Sequence, residues 1–420
     1  MSYFGEFKSN WRALLASALG MGAGLSINNY VTALFAPYLM QAFGWSRAQY
    51  ALMGTTVMVT LFCLPIVGRL ADVFGVRRVA VVGAVSTPLA YITLSFFSGD
   101  IYDYLVIMIL QIIFGSTTTA TVYSRLVAER FVRARGLALA VVAGWPAAVG
   151  AIGIPLVTHV IEAQGWRAGY RALAVYSLLI GIVALMIIPR TTAEAVRPVT
   201  TRQRARADYS ALARNPTFWL IVAGVFLCNL PQTLNTMQFS VMLVDNGATT
   251  AQAGMMLSVF AVGVVIGRFA CGIALDRLPS HIVATITMGL PSIGLFIIAS
   301  GLDTVSALSF AAMLLGLSMG AEGDVYAYLA VRHFGVQIYS SVLGLTTAVL
   351  GIATSLGSIL LSMTLASTNT FALFVMLSGI ITIVGSALFM LLGRESVTQR
   401  AMDVRLGLTA PSAALNREST

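Results

Sequence analysis

The sequence predicts an all-α membrane protein with twelve transmembrane helices in two six-helix bundles. Three observations predict this fold class: an apolar composition, twelve apolar stretches of spanning length, and a repeat that divides the chain in half. Of 420 residues, 58% are hydrophobic and 10% are charged, whereas a soluble domain carries about 25% charged residues. The mean hydropathy is +0.87. This composition is typical of an integral membrane protein.

The apolar stretches set the number of helices. Most of them are near the roughly 20 residues that a helix needs to cross the hydrocarbon core. The twelve predicted spans, numbered first to twelfth along the chain, are 14–39, 53–70, 79–97, 104–126, 137–160, 172–188, 218–244, 251–275, 282–299, 305–331, 342–365 and 371–392.

Arginine determines the predicted orientation, because the only lysine is Lys8. With both termini in the cytoplasm, the inside loops hold most of the arginines, and the outside loops hold only Arg47, Arg167 and Arg171. This distribution satisfies the positive-inside rule. It predicts a multi-pass protein of a bacterial inner membrane. The net charge of +9 is explained by topology and by attraction to anionic membrane lipid, so no nucleic-acid partner is needed.

The three cysteines, Cys63, Cys228 and Cys271, all lie within predicted spans. No disulfide framework or Cys/His metal spacing results, and we expect neither a metal nor a cofactor. The first span is longer than a signal-peptide core, so no cleavable signal is predicted. The spans contain no nucleophile, metal cluster or HExxH-type motif, which argues against a membrane enzyme.

A polar break and an internal repeat divide the chain. The break lies between the sixth and seventh spans, and it predicts an N-terminal bundle at 1–190, a cytoplasmic linker at 191–216, a C-terminal bundle at 217–393 and a cytoplasmic tail at 394–420. Four residues of the first half match residues 204 positions later, namely Gly68 with Gly272, Asp72 with Asp276, Gly153 with Gly357, and Asn28 with Gln232. Such parallel repeats enclose a site at their interface near the bilayer midplane.

The loop after the second span carries the most specific motif. It runs from Gly68 through Asp72 and Gly75 to Arg77 and Arg78, and a weaker copy with Asp276 and Arg277 follows the eighth span. A carboxylate at a helix end, glycine turns and an arginine pair can form an ionic latch between two bundles that breaks and reforms. The motif resembles that of the major facilitator superfamily. The likeness covers the whole chain and implies the major facilitator fold.

A finer likeness points to the monocarboxylate transporter and oxalate–formate antiporter branches. The segment 43–47, Phe-Gly-Trp-Ser-Arg, and the segment 135–138, Arg-Gly-Leu-Ala, are similar to their patterns. Arg268 stands where those families place a carboxylate-binding arginine. Two positions depart from the pattern: Val264 replaces an aspartate common in animal monocarboxylate transporters, and the eleventh span has no lysine. Of these two kinds of transporter, a monocarboxylate transporter is therefore favoured over a dicarboxylate exchanger.

Arg268 is the main candidate for substrate binding. It lies inside the eighth span, eight residues before Asp276, which is about 12 Å along a helix. An arginine near the bilayer centre costs about 2.5–3.5 kcal/mol and faces a partner or a wet cavity. Its planar guanidinium matches a carboxylate with paired donors. The alternative is a buried ion pair that serves only the fold.

Two acids of the tenth span, Glu322 and Asp324, lie near the predicted depth of Arg268. We expect one of them to pair with Arg268 and to accept a coupling proton, since a buried carboxyl group holds a proton more readily than one in water. Glu322 is the preferred proton carrier, because Tyr326 lies one turn away on the same face. Asp324 is interpreted as a support or inner-gate residue. Alternatively, either acid satisfies neighbouring helices.

Polar side chains in the first and seventh spans complete the candidate site. They are Asn28 and Tyr30 in the first span, and Gln232 and Asn235 in the seventh, close to Pro231. Side-chain amides near a proline can bond substrate or satisfy the backbone that the proline frees, and both roles stay open.

These observations predict a monomeric secondary transporter with alternating access for a small monocarboxylate or related organic anion, coupled to a proton. Two alternatives remain: an organic anion exchanger without proton coupling, and an efflux pump for drugs or metabolites. An efflux pump for lipophilic drugs would need a mainly apolar and aromatic cavity. The presence of Arg268 together with Glu322 and Asp324 argues against this alternative.

Overall fold

The computed structural model describes residues 3–131, 134–189, 212, 214–334 and 339–405. Within these ranges a few side chains are not described, among them those of Asp72, Arg135 and Asp276. The described part contains eleven helices that are long and apolar enough to cross a membrane. Together with the first predicted span, which the structure divides into two helical segments, they form the all-α architecture that the sequence predicts.

We number the transmembrane helices α1 to α12. The first six are α1 (Tyr3–Ala23 and Asn28–Phe43), α2 (Arg47–Ala51, Leu52–Met58 and Val59–Phe74), α3 (Val76–Ser95), α4 (Ile101–Gly115 and Ala120–Arg130), α5 (Arg135–Gln164) and α6 (Trp166–Ile187). The last six are α7 (Pro216–Asn229, Leu234–Gln238 and Phe239–Asp245), α8 (Thr250–Arg277), α9 (Ser280–Ala299), α10 (Val305–Phe334), α11 (Tyr339–Thr368) and α12 (Ala372–Arg405). Helix α12 therefore continues well into the segment that the sequence predicts to be a tail. The predicted linker at 191–216 lies mostly outside the described residues.

Helix α1 is broken in its middle, next to a break in α4. A 3-10 turn at Leu25–Ile27 interrupts α1, and another at Ser116–Thr118 interrupts α4. The backbone nitrogen of Leu25 donates to Thr118 Oγ1 at 3.0 Å. A Cβ atom on Gly24 would lie 2.3 Å from the same oxygen. Glycine lets the two interruptions meet, and the bond satisfies a backbone group that the broken helix frees.

Helix α7 is also discontinuous. Its first segment ends at Asn229, and a π-helical segment follows at Leu234–Gln238. Pro231 between them has no backbone N–H, so it cannot continue the hydrogen bonding of the preceding turn. The break lies where the sequence places the polar side chains Gln232 and Asn235.

We call the face that carries the α1–α2 loop at 44–46 the outer face, and the face that carries the α2–α3 turn at Gly75 the inner face. One apolar core joins the outer halves of both bundles; it includes Leu34 and Tyr50 of the first bundle, and Leu234 and Phe371 of the second. Toward the inner face each bundle has a core of its own. The two bundles therefore pack together mainly at the outer face.

Candidate functional site

Arg268 owes its position to the close packing of α8 against α10. A Cβ atom on Gly267 of α8 would lie 2.0 Å from the carbonyl oxygen of Leu317, and one on Gly320 of α10 would lie 2.0 Å from that of Val264. Gly263 and Gly316 make similar approaches one turn earlier. The two backbones are therefore in direct contact, which only glycine permits at these positions. Arg268, the residue after Gly267, is thereby held beside α10.

This packing uses two of the three glycines that follow one another on α10 at Gly316, Gly320 and Gly323. Gly316 and Gly320 lie in the contact, whereas a Cβ atom on Gly323 would meet nothing within 4 Å. The matching glycines on α8, Gly263 and Gly267, were missed by the sequence reasoning. Their spacing of four residues is the signal that could have identified them.

The partner of Arg268 is Asp324. The Arg268 Nη1 atom lies 3.4 Å from Asp324 Oδ1, and the two side chains are 16% and 34% exposed. The Nε atom of Arg268 is buried and has no hydrogen-bond partner among the described residues. Asp324 thus makes one long contact and leaves the paired donors of the guanidinium available. An arginine in this state can accept a planar anion.

Arg268 also faces the other bundle. Its Cδ atom would lie 3.7 Å from a Cβ atom on Gly144 of α5, and its charge acts on the buried phenol of Tyr30 in α1. Because no apolar core of described residues joins the two bundles toward the inner face, we infer that Arg268 is reached from that face. The structure therefore brings Arg268 and Asp324 together at the interface between the bundles, with Tyr30 nearby.

Glu322 lies in a different part of the protein from the Arg268–Asp324 pair. It lines a cavity of about 30 Å3 that is enclosed by residues of α7, α9, α10 and α12, all in the C-terminal bundle. Three other predicted site residues, Gln232, Asn235 and Tyr326, line the same cavity. The sequence hypothesis grouped these residues with Arg268. The structure separates them because Glu322 and Asp324 are two residues apart, which turns them about 200° around the helix axis.

Asn28 is hydrogen-bonded to residues of its own bundle. Its amide nitrogen donates to Gln111 Oε1 at 2.9 Å, and its oxygen accepts from the Tyr91 hydroxyl. These partners belong to α4 and α3 of the same bundle. Asn28 therefore links helices inside the N-terminal bundle, and its predicted role in substrate binding remains a prediction.

The motif residues lie at the inner face. Gly75 has a φ of +82° and ends α2, which is the conformation that favours glycine in a tight turn. Arg77 and Arg78 follow it on α3 and are exposed. The Asp72 and Asp276 side chains lie outside what the structure describes, so the predicted latch formed by Gly68, Asp72, Arg77, Arg78, Asp276 and Arg277 remains a prediction.

An ion pair at the outer face was missed by the sequence reasoning. Arg47, which opens α2, pairs through both terminal nitrogens with Asp245 at the end of α7, and it donates to the Asn369 carbonyl at 3.0 Å. The Gln238 amide donates to the Arg47 carbonyl at 2.8 Å. The available signals were Arg47 in the loop after the first span and Asp245 directly after the seventh predicted span.

Hydroxyl groups of α11 complete the outer closure. Ser358 donates to the Ala51 carbonyl, and Ser362 donates to the Ala48 carbonyl at 2.7 Å. A Cβ atom on Gly54 would lie 2.2 Å from the Thr233 hydroxyl oxygen. The first turns of α2 are thus held tightly between α7 and α11. The protein is closed at the outer face.

Comparison with known families decides the class of this architecture. The Major Facilitator Superfamily model matches residues 16–241. The chain belongs to the Major Facilitator Superfamily. Transporters of this superfamily move small molecules by alternating access between two bundles, so the chain is a membrane transporter and not an enzyme. No curated protein matches the chain.

Solved transporter structures share the fold over nearly the whole chain. A crystal structure of a mutant of the nucleoside transporter NupG is 11% identical, covers 91% of this chain and 98% of its own, and has a TM-score of 0.76. A D-xylose–proton symporter is 14% identical, with coverage of 92% and 97% and a TM-score of 0.70. A bacterial homologue of the human lysosomal transporter Spinster, inward-facing and occupied, is 13% identical, with coverage of 92% and 96% and a TM-score of 0.65. At such low identity the likeness concerns the fold alone.

Proposed function

We propose that this transporter carries a small organic anion, in the first instance a monocarboxylate, together with a proton. The observation that carries the proposal is the state of Arg268. It is a largely buried cation at the interface between the bundles, with an unpartnered Nε and one long contact to Asp324. A guanidinium in this setting binds a carboxylate through two parallel hydrogen bonds.

The charges near Arg268 suggest how the anion and the proton are linked. When Asp324 is ionised it neutralises Arg268, and an incoming carboxylate then meets a site that already holds a negative charge. Two ionised carboxylates against one guanidinium would leave an uncompensated buried charge, which is costly. Protonation of Asp324 removes that cost. Substrate anion and proton therefore favour each other's binding, and the loaded site is neutral.

This mechanism assigns the proton to Asp324 rather than to Glu322. The sequence favoured Glu322 as the proton carrier, but Asp324 is the acid that contacts Arg268. Asp324 is also partly exposed, so water can deliver and remove its proton. Glu322 lies in a separate cavity within the C-terminal bundle.

The topology proposed with this function places both termini in the cytoplasm of a bacterial inner membrane, with a monomeric chain. The arginine distribution supports this orientation. The inner face would then be the cytoplasmic face, and the structure would be open to the cytoplasm. Labelling of single cysteines in the 44–46 loop and in the α2–α3 turn, by a reagent that does not cross membranes, tests it in intact cells. Labelling of the α2–α3 turn alone would contradict it.

The substrate class is tested with purified protein in liposomes. We expect a labelled small carboxylate to enter faster when the outside is acidic, and the uptake to be absent from protein-free vesicles. A panel of carboxylates should include lactate, formate and an aromatic acid, with a nucleoside and a pentose as neutral comparisons. If no carboxylate is taken up or exchanged while a cationic dye or a neutral solute is moved, the organic-anion proposal is wrong.

The coupling residue is tested with a matched pair of variants. A neutral amide resembles a permanently protonated carboxyl group, so Asp324→Asn should retain exchange of substrate but lose its acceleration by a proton gradient. Glu322→Gln, two residues away on the other side of the same helix, should retain both. If Glu322→Gln loses proton-driven uptake and Asp324→Asn keeps it, the assignment is reversed. If both keep it, neither acid couples the proton.

A further inference from the structure

The cavity around Glu322 is lined by oxygen atoms that have no hydrogen-bond partner in the described part of the chain. Three buried oxygen atoms among its lining residues have no hydrogen-bond partner among the described residues: Glu322 Oε1, Asn235 Oδ1 and Thr382 Oγ1. Thr382 is fully buried. Buried polar atoms in proteins are nearly always satisfied, so three unsatisfied oxygens around one cavity indicate a missing partner.

Two of the groups next to these oxygens, Asn229 and Tyr326, already donate to other partners. The Asn229 amide nitrogen donates to the Val225 carbonyl at 2.8 Å and to the Tyr326 hydroxyl at 2.9 Å. The Tyr326 hydroxyl in turn lies 3.6 Å from Met288 Sδ, to which it donates. Both groups, and the Gln232 amide, lie within reach of the Glu322 carboxylate, yet Glu322 Oε1 has no hydrogen-bond partner among the described residues. A species bound in the cavity would supply the contact that these side chains leave unmade.

The charge of the region points to a cation. Arg268 makes its ion pair with Asp324, and Glu322 has no ion-pair partner among the described residues. An ionised Glu322 would thus lack a counter-charge at membrane depth, where such a charge is costly. A proton on Glu322 would remove the charge, but it would not by itself give partners to the Asn235 and Thr382 oxygens as well. A metal cation would balance the charge and take carboxylate, amide and hydroxyl oxygens as ligands.

We propose that this cavity binds a sodium ion. Carboxylate, amide and hydroxyl oxygens are ligands for hard cations, and Ser318 and Gln232 add further oxygens to the lining. A single carboxylate balances a monovalent ion. A volume of about 30 Å3 holds one ion or water, and it excludes an organic anion. The described residues contain no group of three His, Cys, Asp or Glu that suits a transition metal.

The position of the site on a broken helix supports the same conclusion. Asn229, Gln232 and Asn235 flank the interruption of α7 at Pro231. Interrupted helices in transporters expose backbone carbonyls that coordinate sodium or protons. Ion binding here would hold the two parts of α7 together. Because α7 also carries Asp245 of the outer ion pair, the ion can influence closure of the outer face.

The experiment uses the purified full-length protein in detergent with no organic anion present, so its outcome is independent of the proposed substrate. The melting temperature is measured while NaCl replaces KCl or choline chloride at constant ionic strength. We expect a rise that saturates with sodium and is absent with potassium, because a ligand that binds the folded state stabilises it. If sodium and potassium have the same effect on the wild-type protein, the proposal is wrong.

Variants locate the site. Glu322→Gln should weaken the sodium response by about 10- to 100-fold in concentration, and Thr382→Val should weaken it while leaving the charge unchanged. Asp324→Asn is the matched control and should keep the response. A full sodium response in both Glu322→Gln and Thr382→Val would place the ion elsewhere and overturn the proposal. A melting temperature that depends on pH but not on sodium would show that Glu322 binds only a proton or water, which also overturns it.

Discussion

The contact between α8 and α10 predicts that one added methyl group will impair transport. Gly320→Ala would place its Cβ atom 2.0 Å from the Val264 carbonyl oxygen and 2.9 Å from the Arg268 backbone nitrogen. A Cβ atom is essentially never found closer than about 3.0 Å to such an atom. The helices must therefore move apart by about 1 Å (3.0 − 2.0), because both contacting groups are backbone and neither can rotate away.

The magnitude follows from this displacement. Overpacking of this kind typically costs about 1–3 kcal/mol of stability. A misplacement of about 1 Å can reduce the rate of a positioned reaction by about 100-fold. The displacement would also lengthen the Arg268–Asp324 contact, which is already 3.4 Å. We therefore expect Gly320→Ala to reduce transport about 100-fold, while much of the protein remains folded.

The assay is initial uptake in liposomes, with Gly323→Ala as the matched control. A Cβ atom on Gly323 meets nothing within 4 Å, so this variant should transport as the wild type does. A second measurement needs no substrate. Cys271 is buried against Ala321 in the same contact, and its maleimide labelling should accelerate in Gly320→Ala when Cys63 and Cys228 are replaced by serine. Equal uptake and equal labelling in the two variants would refute the role given to this contact.

Three other predictions concern the charged residues. Arg268→Lys keeps the charge but loses the planar guanidinium, so the apparent affinity for the anion should fall about 10- to 100-fold. Arg268→Ala should nearly abolish uptake. Unchanged affinity in the alanine variant would show that the arginine has only a structural role. Asp245→Asn should weaken outer closure modestly but measurably, because a partly exposed ion pair typically contributes about 0.2–1 kcal/mol; the rate of disulfide formation between Ala48→Cys and Ser362→Cys should fall, by up to about fivefold, and an unchanged rate would exclude the pair from the gate. Asp72→Asn should slow transport and leave equilibrium binding largely intact, as expected for the predicted latch; a large rise in dissociation constant with unchanged turnover would contradict this.

Sequence periodicity and composition predicted the architecture of this protein. Apolar stretches of spanning length must become helices in a bilayer, since only intrahelical hydrogen bonds satisfy the backbone there. The same reasoning did not predict the breaks at Leu25–Ile27 in α1 and Ser116–Thr118 in α4. Each break is stabilised by the other helix, through the bond from Leu25 to Thr118. A pairing between distant segments leaves no periodic signal in either of them.

For the site, the sequence determined which residues are chemically unusual, because a charged side chain inside a hydrophobic span is costly wherever it points. Arg268, Glu322 and Asp324 were found in this way. Only the tertiary structure decided their partners. Asp324 faces Arg268 across a contact between glycines, whereas Glu322 faces Asn229 and Tyr326 inside one bundle. The difference depends on the rotation of α10 about its axis, and that rotation is set by which backbone carbonyls Gly316 and Gly320 can approach on α8. This rotation angle is determined by packing between helices, so it cannot be read from the sequence of one helix.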